Sequence, residues 1–126
     1  MGRILVIDDE AQLRTLLRRA LELEGHEVVE AGDGVAGLRS YQAQRCDLVI
    51  TDILMPEQEG LGCIMELRRL DPQVRIIAVS GATGALPLDV LEIARQLGAR
   101  RAFPKPLNLT QVLAAVAEEL EGRRAA

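Results

Sequence analysis

The sequence is poor in aromatic residues, in histidine and in cysteine, and each shortage excludes a class of function. Only two of its 126 residues are aromatic, Tyr41 and Phe103, which leaves only these two to flank a flavin ring. The single histidine, His26, lies in a predicted turn without a second histidine, which argues against metal binding or catalysis there. The two cysteines, Cys46 and Cys63, form no Cys-x-x-Cys motif, so we expect both to be reduced and structural.

Long apolar runs and a positive charge excess are also missing. No apolar stretch approaches the ~20 residues that a membrane-spanning helix needs. No signal peptide is visible, because the first predicted strand begins at Arg3. The net charge of −4 disfavours a nucleic-acid-binding surface. These features predict a cytoplasmic protein that binds neither membranes nor nucleic acid directly.

What is present is an alternation of apolar segments with amphipathic ones. Gly25 and Gly98 are predicted to end helices and Asp33 to cap one. The length fits a single domain over residues 1–126, with a frayed tail from about Gly122. The alternation predicts an α/β fold with a parallel sheet between two helix layers. Predicted strands cover about 3–7, 27–31, 47–51, 74–79 and 100–103, and predicted helices about 10–24, 35–43, 61–70, 87–97 and 107–120.

Polar residues stand at the ends of several predicted strands. The first strand is followed by Asp8 and Asp9, and the central strand is followed by Asp52. The fourth strand ends near Ser80, and the fifth ends near Lys105. Because open α/β sheets bind ligands outside the carboxyl ends of their strands, we expect these side chains to meet there.

Such a set predicts phosphoryl chemistry assisted by a cation. Two carboxylates about 5 Å apart repel by roughly 3 kcal/mol at an effective dielectric constant of 20, so the cluster takes up protons or binds a cation. Carboxylates suit Mg²⁺. The amine of Lys105 and the hydroxyl of Ser80 would contact phosphate oxygens. Individually each residue could be a turn former or a solvated charge, but their shared position at strand ends favours an aspartate that accepts a phosphoryl group.

Several segments in this order resemble the receiver domain of two-component response regulators. The set is specific as a whole and covers nearly the entire chain, although any one piece is weak. The resemblance implies a flavodoxin-like doubly wound fold with five parallel strands in the order 2-1-3-4-5 and five helices. The matching residues are 4–10, 47–56 with Gly60, 78–81, 98–99 and 105–106.

The resemblance also implies a phosphorylation site and a metal site. Asp52 would be the phosphoacceptor, receiving its phosphoryl group from a sensor histidine kinase or a histidine phosphotransfer protein. Mg²⁺ would be held by the side chains of Asp9 and Asp52 and by the backbone carbonyl of Leu54, with Asp8 helping through bound water. The downstream partner is not given by the sequence, and we expect a monomer or a weak dimer.

The remaining implied parts concern the last two strands. Lys105 would pair with the phosphoacceptor and later with the phosphate, and Ser80 would move to the phosphate. The bond between Lys105 and Pro106 is expected to be cis. Many receivers carry an aromatic residue three positions before the lysine, where this chain has Ala102. Phe103 follows, and strand alternation should point it to the opposite face of the sheet.

Three other functions fit the fold class. A phosphorylation-silent interaction module would leave the acidic residues without a role. A Mg²⁺-dependent phosphatase that forms an aspartyl-phosphate would need a second acid where Leu54 stands. A flavin carrier would need a phosphate-cradling loop after the first strand, where Asp8 and Asp9 would instead repel phosphate. We therefore expect a protein that assists its own phosphorylation and is not otherwise an enzyme.

Overall fold

The computed structural model describes residues 2–53, 59–80 and 89–125. Within these residues, strands and helices alternate along the chain as the sequence predicts. The strands are β1 (Arg3–Ile7), β2 (Glu27–Ala31), β3 (Leu48–Asp52), β4 (Ile76–Ser80) and β5 (Arg101–Pro104). The helices are α1 (Ala11–Leu23), α2 (Gly34–Ala43), α3 (Glu59–Leu70), α4 (Asp89–Leu97) and α5 (Leu109–Ala125). None of the helices in these ranges is long and apolar enough to cross a membrane.

The strands form one parallel sheet in the order β2-β1-β3-β4-β5, which confirms the predicted topology. The order places β1 and β3 at the centre, where β1 pairs with β2 on one side and β3 on the other. Parallel pairing brings the carboxyl ends of neighbouring strands to one edge. Ile7 stands opposite Thr51, and Ser80 stands opposite Pro104.

Each face of the sheet has its own apolar core, because side chains alternate along a strand. In β1, Leu5 and Ile7 pack with α2, α3 and α4, whereas Ile4 and Val6 pack with α1 and α5. All four side chains are fully buried. A strand covered on both faces is apolar throughout, which is why β1 and β3 show no polar alternation in the sequence.

Most differences from the predicted bounds are small, but two affect the argument. Asp52 is the last residue of β3 and does not follow it, so the strand itself holds its backbone. Helix α5 continues to Ala125, past the predicted end near Leu120, and the frayed tail from about Gly122 stays a prediction. One glycine costs a helix only about 1 kcal/mol, which the tertiary contacts of the preceding turn offset. The predicted start of α4 near Pro87 lies outside the described residues.

The predicted helix boundaries at Asp33, Gly25 and Gly98 are confirmed. The Asp33 side chain accepts a hydrogen bond from the Ala36 amide at 2.8 Å and caps α2. Gly25 and Gly98 have φ angles of 92° and 126° at the ends of α1 and α4. Glycine adopts this left-handed region without the steric cost that a side chain brings.

Two helical glycines should respond in opposite directions to alanine. A Cβ atom at Gly37 of α2 would lie 2.4 Å from Cδ1 of the fully buried Ile7, whereas one at Gly62 of α3 would meet nothing within 4 Å. Overpacking costs about 1–3 kcal/mol and outweighs the helix propensity gained, so Gly37→Ala should lower the free energy of unfolding by about 1 kcal/mol. Gly62→Ala should raise it by about 0.5–1 kcal/mol. Urea unfolding of both variants measures this, and shifts of the same sign would contradict the packing.

Candidate functional site

The acidic residues predicted from the sequence meet at the carboxyl edge of the two central strands. Asp8 directly follows β1, and Asp52 ends the adjacent β3. One carboxylate oxygen from each of Asp8, Asp9 and Asp52 lies within 4.8 Å of the others. Asp8 and Asp52 are buried, at 1% and 2% exposure, whereas Asp9 is exposed. The strand pairing therefore brings together carboxylates that lie far apart in the sequence.

Lys105 reaches this acidic pocket from the end of β5. Its Nζ atom donates a hydrogen bond to Asp52 Oδ2 at 3.0 Å and lies 3.0 Å from Asp8 Oδ2. Glu10 Oε1 is 3.5 Å from the same nitrogen. The peptide bond between Lys105 and Pro106 is cis, as expected from the resemblance.

Ser80 ends β4, next to β3, at the same edge of the sheet. It is buried, at 1% exposure, and its carbonyl oxygen accepts a hydrogen bond from the Lys105 amide at 2.7 Å. The backbone thus ties the serine and the lysine to each other. Leu54, the predicted carbonyl ligand, lies outside the described residues.

Burial and neighbouring charges shift the pKa values of the paired groups. Burial raises the pKa of Asp8, and the charge of Asp52 adds to this, although hydrogen bonds from the Glu10 amide and Lys105 oppose it. Burial by itself would lower the pKa of Lys105, but its contacts with Asp8 and Asp52 outweigh burial and raise that pKa. The lysine therefore keeps its positive charge between the two buried carboxyl groups.

The donor set of the pocket fits a hard divalent cation. Among the described residues, the clustered carboxyl groups of Asp8, Asp9 and Asp52 outnumber the one ammonium group beside them, that of Lys105. Asp8 Oδ2 is buried and forms an ion pair with the Lys105 ammonium group at 3.0 Å. Carboxylate oxygens are the ligands that Mg²⁺ takes in proteins, usually together with water.

Comparison with known proteins agrees with this geometry. The family model described as the response regulator receiver domain matches residues 4–117. The chain belongs to the response regulator receiver family. It is 37% identical over 119 residues to the chemotaxis protein CheY of Bacillus subtilis, with 94% of this chain and 97% of that protein covered. A solved receiver domain protein of Clostridium thermocellum superposes with a TM-score of 0.89 at 28% identity, covering 99% of this chain and 98% of the other.

Other relatives place the same receiver domain in different settings. The sporulation initiation phosphotransferase F of Bacillus subtilis is 29% identical, with 94% of this chain and 93% of that protein covered. The DNA-binding transcriptional regulator NtrC of Azospirillum brasilense is 35% identical, but the match spans only 24% of that protein. Family membership therefore leaves the downstream partner open.

This receiver differs from many others three positions before Lys105, where they carry an aromatic residue and this chain has Ala102. Ala102 packs in the core shared with α2, α3 and α4, whereas Phe103 packs in the core shared with α1 and α5. The prediction that Phe103 points to the face opposite Ala102 is confirmed. This receiver therefore carries alanine at the β5 position where many receivers have an aromatic residue.

Two residues that contact groups of the acidic pocket were not predicted from the sequence. Glu10 contributes a carboxylate beside Lys105, although its side chain is 58% exposed. Arg14 donates a hydrogen bond from Nη1 to the carbonyl oxygen of Asp8 at 2.6 Å. In the sequence, Arg14 is one of several arginines on the polar side of α1, and nothing in the spacing distinguishes it from a solvated charge.

Proposed function

We propose that this receiver accepts a phosphoryl group on Asp52 and thereby changes its binding to a downstream protein. The donor would be the phosphohistidine of a sensor histidine kinase or of a histidine phosphotransfer protein. The observation that carries this proposal is the position of Lys105 Nζ, 3.0 Å from both Asp52 Oδ2 and Asp8 Oδ2. A cation fixed beside a buried carboxylate stabilises the charge of an incoming phosphoryl group.

The transfer itself needs few groups. A carboxylate oxygen of Asp52 forms the new bond to phosphorus, while the bond between phosphorus and the donor's histidine nitrogen breaks and its electron pair goes to that nitrogen. Lys105 then pairs with a phosphoryl oxygen. The hydroxyl of Ser80 donates to another phosphoryl oxygen from the neighbouring strand. Ser80 ends β4, which pairs with β3, and Lys105 directly follows β5, the next strand beyond β4.

Mg²⁺ is the cofactor that we propose for this pocket. Asp9 and Asp52 would hold it through carboxylate oxygens and Leu54 through its backbone carbonyl, with Asp8 acting through bound water. When bound, the ion neutralises negative charge on the transferring phosphoryl group. The carboxylate oxygens of Asp8, Asp9 and Asp52, which lie within 4.8 Å of one another, support the assignment from this chain's own residues.

The proposed role is that of a signalling module that assists its own phosphorylation, not of an enzyme acting on a separate substrate. We propose that the protein is a single receiver domain and is monomeric or weakly dimeric. Its partners would be proteins, and it would not bind nucleic acid or membranes directly. We place it in the cytoplasm. The buried thiols of Cys46 and Cys63 are compatible with a reducing compartment.

Intact-mass spectrometry with a small-molecule phosphodonor tests the proposal. Wild-type protein should gain one phosphoryl adduct in Mg²⁺ and little or none with a chelator, and peptide mapping should place the adduct on Asp52. A folded protein that gains no adduct in Mg²⁺ would overturn the proposal and favour the phosphorylation-silent interaction module. An adduct of equal yield with the chelator would overturn the part assigned to the cation.

A further inference from the structure

The turn between β1 and α1, residues 8–10, is called the acidic turn below. Besides the contacts with Lys105, it has contacts on the side away from the pocket. We propose that Arg14 is a positioning residue that keeps this turn in the geometry required for a divalent cation, an inference that rests on the proposed function. Arg14 lies one turn into α1 and reaches back to the end of β1. It touches neither Lys105 nor the phosphoacceptor in the contacts described above.

The guanidinium group of Arg14 joins two elements. Nη1 donates to the carbonyl oxygen of Asp8 at 2.6 Å, and Nε donates to Glu30 Oε1 at 3.2 Å. Glu30 lies in β2, and its side chain is 25% exposed, while that of Arg14 is 20% exposed. The planar fork of an arginine suits two such directed contacts, which a lysine cannot reproduce. Arg14 therefore links the acidic turn to the neighbouring strand.

The Asp8 carbonyl is the contact that matters for the cation site. It belongs to the peptide unit that also carries the nitrogen of Asp9, and this unit is planar. Fixing the carbonyl therefore fixes the direction in which the Asp9 backbone leaves the turn. The other polar groups of Asp8 are held as well, since its amide donates to the Ala31 carbonyl at 3.1 Å and Oδ1 accepts from the Glu10 amide at 2.8 Å.

Charge alone would give the opposite effect. A positive charge close to a cation site repels the cation, so removing it should tighten binding. Glu30 offsets this charge, since it accepts hydrogen bonds from both Arg14 and Arg18. Arg14 and Glu30 together thus carry little net charge, while Arg14 keeps its directed contact with the Asp8 carbonyl oxygen. A positioning role and an electrostatic role therefore predict opposite signs for the loss of Arg14.

Calorimetric Mg²⁺ titration of the unphosphorylated protein separates the two roles. Arg14→Gln should weaken Mg²⁺ binding about 10-fold, the lower end of the loss seen when a residue that orients metal ligands is removed. Arg14→Lys should also weaken it, because the charge remains and the fork is lost. Unchanged or tighter binding in Arg14→Gln would overturn the inference.

Arg18→Gln is the matched control, because Arg18 contacts Glu30 at 3.0 Å and Glu22 at 3.1 Å on the exposed side of the same helix. The Mg²⁺ affinity of Arg18→Gln should equal that of the wild type. An equal loss of Mg²⁺ affinity in Arg14→Gln and Arg18→Gln would overturn the assignment to Arg14. The backbone amide resonance of Glu10 gives a second readout, since it should shift in Arg14→Gln and not in Arg18→Gln.

The outcomes for the proposed function are distinct. Wild-type protein that binds no Mg²⁺ and gains no phosphoryl adduct overturns the proposed function itself. Wild-type protein that does both, with an unaffected Arg14→Gln variant, overturns only the positioning role. If Arg14→Gln proves unfolded, Arg14→Lys, which keeps the positive charge but loses the planar fork, takes its place in the test. That variant should weaken Mg²⁺ binding, and unchanged binding would overturn the inference.

Discussion

Asp52→Asn should gain no phosphoryl adduct under conditions that convert the wild-type protein fully. The amide has nearly the shape of the carboxylate, but it lacks the anionic oxygen that forms the bond to phosphorus. The variant should remain folded, because Lys105 Nζ keeps its contact with Asp8 Oδ2 at 3.0 Å and is not left buried without a partner. Intact-mass spectrometry in Mg²⁺ with a small-molecule phosphodonor makes the measurement.

Glu10→Gln is the control for the loss of one acidic group near the lysine. Glu10 Oε1 is 3.5 Å from Lys105 Nζ, but its side chain is 58% exposed and is not among the proposed ligands. This variant should still accept a phosphoryl group. A full adduct on Asp52→Asn would show that another residue is the phosphoacceptor.

Glu119→Gln should lower the free energy of unfolding by about 3 kcal/mol, the largest effect on stability that we expect. Glu119 is 5% exposed and lies on α5. Its Oε1 atom accepts from Arg75 at 3.0 Å and from Arg100, and its Oε2 atom accepts from Arg101 at 2.9 Å. Removing one partner of a buried ion pair costs about 3–5 kcal/mol, and the lower value applies here because two of the arginines reach solvent.

For a domain of this size, that loss corresponds to a melting temperature lower by roughly 10 °C. Glu118→Gln is the matched control on the adjacent residue. Glu118 contacts Arg101 Nη1 at 2.8 Å, but its side chain is 60% exposed, so an effect below about 1 kcal/mol is expected. Equal losses of unfolding free energy in the two variants would show that the burial of Glu119 does not decide how much it stabilises the fold.

The effect of Glu119 should depend on pH in a defined direction. Burial by itself would raise the pKa of Glu119, but hydrogen bonds from Arg101 and Arg100 outweigh it and hold the pKa below its ordinary value. A carboxyl group with a lowered folded-state pKa contributes stability above its unfolded pKa of about 4.3 and loses it as the pH falls through the folded value. The difference in the free energy of unfolding between wild type and Glu119→Gln should therefore be constant from pH 7 to about pH 5 and should shrink below about pH 4.

The ends of the strands explain why the pocket could be predicted from the sequence. Asp8, Asp52, Ser80 and Lys105 each close a strand, or follow one closely, in a pattern of alternating strands and helices. Parallel strands bring such positions to one edge whatever the details of packing. The opposite orientations of Ala102 and Phe103 follow in the same way from the two-residue period of a strand.

Other features depend on how the helices pack and are not visible in the pattern. Glu118 and Glu119 are adjacent acids on a helix, and only the docking of α5 beside the starts of β4 and β5 buries one and exposes the other. Arg14 resembles Arg18 in the sequence, yet only Arg14 reaches the Asp8 carbonyl.

By itself, then, the sequence determined the alternating strands and helices and the strand-end residues of the pocket, because local periodicity and strand ends decide them. The strand order followed from the resemblance to the receiver family. Only the tertiary structure decided which charges on the helices are buried and paired. That outcome depends on the rotation and position of each helix against the sheet, and a shift of one residue along a helix turns a side chain by about 100°.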